Sequence, residues 1–138
     1  MSASGVNDST LLKIQSKEQS LWLTSAVAKV QGLADMPEGW DGHGSRPIQP
    51  TSIANMLRIL NAIANADVPP PHIAPISGGA LQIEWSLKNH DLEMVTRSDG
   101  SIHYLQTDND DVENMQDGVL VASDNAAILQ LLDWLIGR

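Results

Sequence analysis

The stretch Gly39-Trp40-Asp41-Gly42-His43-Gly44 sets an acid and a base two residues apart, a spacing at which they can share a proton. Glycines around them let the backbone approach a ligand closely. The same residue types also build a purely structural loop, with Trp40 pinned to the core and Asp41 accepting from local amides in an Asx-type turn. The residue types fit both readings, and Trp40, Asp41 and His43 are candidate partner-binding residues. The loop lacks the lysine and the strand-then-helix setting of a phosphate loop, and the dinucleotide fingerprint fails for the same contextual reason.

A second group is acidic. Asp108, Asp110, Asp111, Glu113 and Asp117 crowd one polar stretch, but Glu113 stands where a calcium-binding EF-hand loop needs glycine. This predicts a solvated acidic loop or a docking surface for basic groups, with Asp108, Asp110, Asp111 and Glu113 as further partner-binding candidates. Glu84 and Glu93 fall on neighbouring predicted strands and invite comparison with a catalytic carboxylate pair. Alternation puts both on the polar face, which favours an exposed pair. Histidines occur at 43, 72, 90 and 103, with no i, i+4 pair on a helix. A metal site needs three or four convergent donors, so none is expected, nor any cofactor. Cysteine is absent and no G-x-S-x-G elbow appears, so no catalytic residue is assigned.

Charge narrows the partners. Eight basic residues face seventeen acidic ones, a formal net charge of −9. That field repels phosphate backbones and anionic lipid surfaces and favours cationic partners. Phenylalanine is absent, Tyr104 is the only tyrosine, and four tryptophans complete the aromatic set. Binders of single strands need aromatic platforms in a basic groove, and both are poorly supplied here. The expectation is a protein partner with a basic surface, no direct nucleic-acid binding and no membrane association. No apolar run reaches transmembrane length, and the first residues lack the basic and apolar regions of a signal peptide. A cytoplasmic setting follows as an expectation.

The elements that must position these residues are legible as periodicities. A chain of 138 residues hides about 68% of its extended surface on folding, enough for a core without staples. We expect a loose tail over residues 1–8 and a single α+β domain over 9–138. Leu23, Val27, Val30 and Leu33 or Ala34, widened by Trp22 and Ala26, give helix one an apolar stripe. Whether it is continuous or restarts at a Ser16–Gln19 capping box stays open. Met36 to Pro47 holds three glycines and two prolines in twelve residues and is read as a loop. Helix two opens with Gln49 or Thr51 as N-cap and Pro50 in its first turn, carries Ile53, Leu57, Leu60 and Ile63 or Ala64, and stops before Val68-Pro69-Pro70-Pro71. The period then drops to two. Leu81, Ile83, Trp85 and Leu87, then Leu92 and Met94, then Ile102 and Tyr104 predict three antiparallel strands joined by turns at Lys88–His90 and Ser98–Gly100. His72 to Ile76 can add a fourth, which Pro75 would confine to an edge. Residues 107–118 are read as polar loop, and Val119 to Ala122 as a short strand or a turn. Ser123 is the expected cap of a final helix that is apolar nearly all round. Leu131, Trp134 and Leu135 on that helix are the candidates for self-association. The predicted architecture is two N-terminal helices, a three- to four-stranded meander, and a C-terminal helix on one face of the sheet.

Pro37-Glu-Gly-Trp-Asp-Gly-His-Gly, then Arg46-Pro-Ile-Gln-Pro50, then Pro69-Pro-Pro-His-Ile-Ala-Pro75 and Gly79-Ala-Leu-Gln-Ile-Glu-Trp85 together resemble a group of small bacterial proteins. Those proteins carry a GWDG motif, a helix-opening proline, a PPP-x-hydrophobic-x-P segment and a strand ending in "leW", followed by a DG hairpin, here Asp99-Gly100. The resemblance covers Pro37 to Leu105. It implies a bacterial or phage origin and an α+β fold, and it brings no activity. Taken together, the sequence predicts a non-enzymatic protein-binding module of the antitoxin, immunity or inhibitor kind. The alternatives are acidic mimicry of nucleic acid against a host defence complex, and a small enzyme or ligand binder built on the Asp41/His43 loop.

Overall fold

A computed structural model describes residues 22–111, 113–121 and 123–137. The expected tail over residues 1–8 and the Ser16–Gln19 capping box lie outside them. Among the described residues there are three helices and one five-stranded antiparallel sheet. Helix α1 runs over 22–34, α2 over Pro50–Ala62 and α3 over Asn125–Leu135. The strands are β1 (His72–Ile76), β2 (Ala80–Leu87), β3 (His90–Thr96), β4 (Ile102–Asp108) and β5 (Gln116–Leu120), arranged in the order of the chain. The α+β architecture matches the sequence reading, but the meander has five strands rather than three or four.

The extra strand, β5, falls largely in the stretch read as polar loop. Its residues Gln116, Asp117 and Val119 are exposed and only Leu120 is buried, so an edge strand of this kind leaves almost no apolar alternation to read. Tyr104 on β4 faces Gly118 across the pair. A Cβ at Gly118 would stand 2.7 Å from the Tyr104 ring, so the glycine is where the aromatic ring crosses the edge strand.

One face of the sheet is dry. Ile73, Leu81, Ile83, Trp85, Leu92, Met94 and Ile102 alternate inward from β1 to β4 and are buried. Above them sit Ala26 and Val30 of α1, Met56, Ile59 and Leu60 of α2, and Ile128, Leu131, Leu132 and Leu135 of α3. Each fully buried aliphatic side chain contributes about 1.5–3 kcal/mol, so this layer outweighs any single polar contact in the molecule. The buried stripe of α2 is Ser52, Met56, Ile59 and Leu60, while Ile53 and Leu57 are half-buried. The polar Ser52 at the head of the stripe disguises its true phase. The cap of α3 is Asp124, whose carboxylate accepts from the Ala127 amide at 3.1 Å, and not Ser123.

That burial also relocates the residues expected to mediate self-association. Leu131 and Leu135 are 8% and 2% exposed and belong to this chain's own core. The ring of Trp134 stacks on His90 with centroids 4.1 Å apart, and its carbonyl lies 2.8 Å from His90 Nδ1. A helix apolar nearly all round is here one that packs on both the sheet and α2.

Two substitutions test the packing from opposite directions. The Ser52 hydroxyl is buried with no hydrogen-bond partner among the described residues. Ser52→Ala should therefore raise stability by about 1 kcal/mol, read as a higher urea midpoint with an unchanged slope. Gly79 holds φ +82 and packs so tightly that a Cβ would stand 2.6 Å from Gln49 Cγ and 3.0 Å from the Pro47 carbonyl oxygen. Gly79→Ala should cost about 1–3 kcal/mol in the same measurement, through backbone strain and overpacking together.

Candidate functional site

The glycine-rich loop is braced by its own residues. The Gly39 amide donates to the Ser45 carbonyl at 2.7 Å, and the Gly42 amide to the Gly39 carbonyl at 2.9 Å. Gly39, Gly42 and Gly44 all adopt positive φ, which explains their number in so short a stretch. Trp40 is half-buried and its indole N–H donates to the Arg46 carbonyl at 3.1 Å. Asp41 accepts from the amides of His43 at 2.8 Å and Ser45 at 3.3 Å, and from the Ser45 hydroxyl. The Ser77 hydroxyl, in the β1–β2 turn, lies 3.4 Å from the same carboxylate and 3.1 Å from the Ser45 hydroxyl. Asp41 thus holds the backbone amide of His43, while His43 itself is exposed. The arrangement is a staple fixing the loop to the sheet, with the Gln49 amide donating to the Gly79 carbonyl at 2.9 Å beside it. Of the two forms open to this loop, a shared-proton pair or an Asx-type turn, the geometry has that of the turn.

The acidic residues divide. Asp108 ends β4 opposite His90, and its carboxylate accepts from the Asp110 amide at 3.0 Å. Asp110 accepts from the Asn89 side chain at 2.8 Å, and Asn109 donates to Asp91 at 3.1 Å. Asp108 and Asp110 are therefore engaged in folding this segment against the β2–β3 turn. Asp111 and Glu113 are exposed beyond it. Among the described residues no group of three or more His, Asp or Glu side chains is placed to hold a metal ion.

The face of the sheet opposite the helices forms a third region. Register aligns His72, Glu84, Glu93, Leu105 and Asp117 in one row across all five strands. The adjacent row runs Ala74, Gln82, Val95, His103 and Val119. Glu84 is tied by Gln82, whose side chain donates to it at 3.0 Å, and His72 Nε2 stands 3.9 Å away. Glu93 faces Glu84 directly, a like-charge cross-strand pair with Cβ atoms about 5 Å apart in such a register. Burial first, then the charge of Glu84, then that of Asp91, raise the Glu93 carboxyl above its ordinary value. Beside this row lies an open depression of about 430 Å³, bounded by Glu93, Arg97, His103, Leu105, Asp117 and Val119. It joins apolar side chains to two carboxylates, with the Arg97 guanidinium and the His103 ring on the same exposed surface.

The chain matches no protein-family model, no curated protein and no solved structure. No helix among the described residues is long and apolar enough to cross a membrane. The sequence places Glu84 and Glu93 on a polar face, but Asp117 reads there as part of the acidic loop, and its alignment with them is invisible. Cross-strand neighbours are fixed by register, and a one-residue slip would move Asp117 to the other face. The one available signal is the apolar Val119-Leu120-Val121 just after it.

The staple has a pH signature. The Ser45 hydroxyl, then the His43 amide, hold the Asp41 carboxyl down from 3.8 to about 2. A carboxyl lowered by folding supports the loop fully above its ordinary value, and that support is lost as pH falls through about 2. In a titration followed by NMR, the His43 and Ser45 amide resonances should move together with a midpoint near 2. Asp41→Asn should abolish that transition and speed amide exchange at Ser45 at neutral pH.

Proposed function

We propose that this chain is a non-enzymatic protein-binding module that engages a basic partner through an acidic surface, in the manner of an antitoxin, immunity or inhibitor protein. The observation that carries the reading is the sheet face opposite the helices. Glu84, Glu93 and Asp117 share one row there, beside the exposed Val119, with no helix of the described residues placed over them. Carboxylates that repel one another in the free protein are stabilised when a cationic surface arrives, and complementary charge also speeds encounter. The formal charge of −9 extends that attraction over the whole molecule. The likeness to small bacterial proteins supports a bacterial or phage setting, and a chain without cysteine suits the cytoplasm. A sharper form of the same reading is acidic mimicry, in which the chain occupies a nucleic-acid-binding site of a defence complex. Competition with DNA for the target distinguishes it. Asp111 and Glu113, exposed near the end of β4, extend the acidic surface.

Glu84→Gln combined with Glu93→Gln tests this by separating stability from binding. Removing a like-charge pair should stabilise the fold by about 0.2–1 kcal/mol at neutral pH. Folding raises the Glu93 carboxyl, so its ionised form opposes the fold only as pH rises through that raised value. The gain should disappear in acid, where both carboxyls are protonated. The same double variant should lose capture of a basic protein from the native host, and the unaltered chain should release that protein when screening is strong, at about 0.5 M salt. Capture of nothing but the chain itself at low salt, or capture indifferent to the double variant, would refute the proposal.

A further inference from the structure

We infer that the outer edge of β5 takes an extended, lysine- or arginine-bearing segment of a protein partner as a sixth strand of the sheet. The inference rests on the binding-module reading and specifies where and how the partner docks. Strand β5 ends the sheet of the described residues, so one row of its main-chain donors and acceptors has no described strand beside it. The opposite edge is blunted, because Pro75 within β1 removes an amide. Strand β5 contains no proline. Exposed apolar surface is concentrated at the same place. Of the four large apolar side chains exposed among the described residues, Val119 (63%) lies on β5 and Met115 (51%) and Val121 (67%) flank it. Clustered exposure of this kind marks interaction surfaces, whereas scattered single residues do not.

The alternation of β5 then dictates what the added strand must carry. Asp117 and Val119 both point to the open face, two residues apart, at the rim of the 430 Å³ depression. A strand laid along this edge places one side chain beside Asp117 and another beside Val119. The complementary pattern is a basic residue and an apolar residue separated by one position. Main-chain pairing supplies affinity in strand addition and the alternate side chains supply specificity. A second copy of this chain is the poorer occupant. Pairing two β5 strands about Gly118 sets each Asp117 against Val119 of the copy, and it brings together two molecules that each carry −9.

The test uses the full chain and a synthetic nine-residue peptide with Lys and Val alternating on one side of the strand and Thr on the other, so that either strand direction presents the pattern. At low salt, amide exchange over residues 116–120 should slow at least ten-fold on peptide binding. Asp117→Lys should weaken the peptide at least ten-fold, and a peptide with Glu in place of Lys should bind that variant in preference to the unaltered chain. Circular dichroism and the unfolding midpoint show that Asp117→Lys is folded; should it not be, Asp117→Asn with the same two peptides gives the readout. Peptide binding that protects no amide of 116–120 and is lost in the Glu84→Gln, Glu93→Gln chain would overturn the edge while leaving the open-face reading intact. Failure of every basic peptide to bind would overturn both. Protection of 116–120 that grows with protein concentration without peptide would give the edge to a second copy and overturn the inference.

Discussion

Side chains alternate with a period of two along five antiparallel strands, and among the described residues the helices supply apolar cover for one side only. Everything else in this molecule is conditioned by that asymmetry. On the covered side, Ile83, Met94 and Ile102 meet Met56, Ile59, Ile128 and Leu132, all without measurable exposure or nearly so. On the other side the same register lines up His72, Glu84, Glu93, Leu105 and Asp117. The two rows cannot be changed independently, because register is common to both faces. The carboxylate row is thus held in alignment by the hydrophobic core behind it, at a cost in repulsion that is small beside about 1.5–3 kcal/mol for each buried aliphatic side chain.

The glycine-rich loop serves this sheet. Asp41, Ser45 and Ser77 join the loop to the β1–β2 turn, and Gly79 allows residues 47–49 to lie directly on it. The chain entering α2 is therefore fixed against the edge hairpin before the helix begins. Two hairpins further on, Thr51 and Asn55 of α2 donate to the Ser98 and Gly100 carbonyls at 2.7 and 3.0 Å, clamping the β3–β4 turn. Trp85 adds a third brace by donating to the Pro69 carbonyl at 2.9 Å, which ties the polyproline segment to the core strand. A distinctive motif can thus be explained by the geometry of joining elements.

The sequence reveals elements wherever periodicity coincides with burial. Strands β2 to β4 and helix α1 follow that rule, and Pro75 on β1 correctly signals an edge. Helix α2 is legible from its stripe and from Pro50, but its phase is not, because the polar Ser52 occupies a buried position, and the edge strand β5 has too little buried surface to be read. Helix α3 is likewise legible as a helix, but its few polar positions give no phase, so the core residues Leu131 and Leu135 resemble a free surface. The candidate site is half legible. Acidity and the Glu84/Glu93 proximity are sequence properties, whereas the addition of Asp117 and Val119 to the same face needs two successive pairings, β3 with β4 and β4 with β5. Linear spacing carries no trace of that, since Glu93 and Asp117 are separated by an entire hairpin.

A face that repels itself and an edge that is unpaired are both liabilities in an isolated protein. Natural sheets commonly blunt their edges with charge, and Asp117 alone would fit that role. Edge protection does not account for Val119 and its flanking Met115 and Val121, because exposed apolar side chains at an open edge invite pairing. Nor does it account for Glu84 facing Glu93, since a neutral or oppositely charged residue at either position would protect equally well and fold more stably. Under the proposed reading, a strand added beside β5 would answer Asp117 with a cation and the rim with apolar side chains, whereas Glu93 and Glu84, about 14 and about 19 Å from such a strand, would be met by the body of the partner beyond it. Charge would then have a second effect: a surface this acidic repels copies of itself while leaving the edge open to a basic chain, so in the proposed complex the residues that attract the partner would also discourage the free protein from pairing with its own kind.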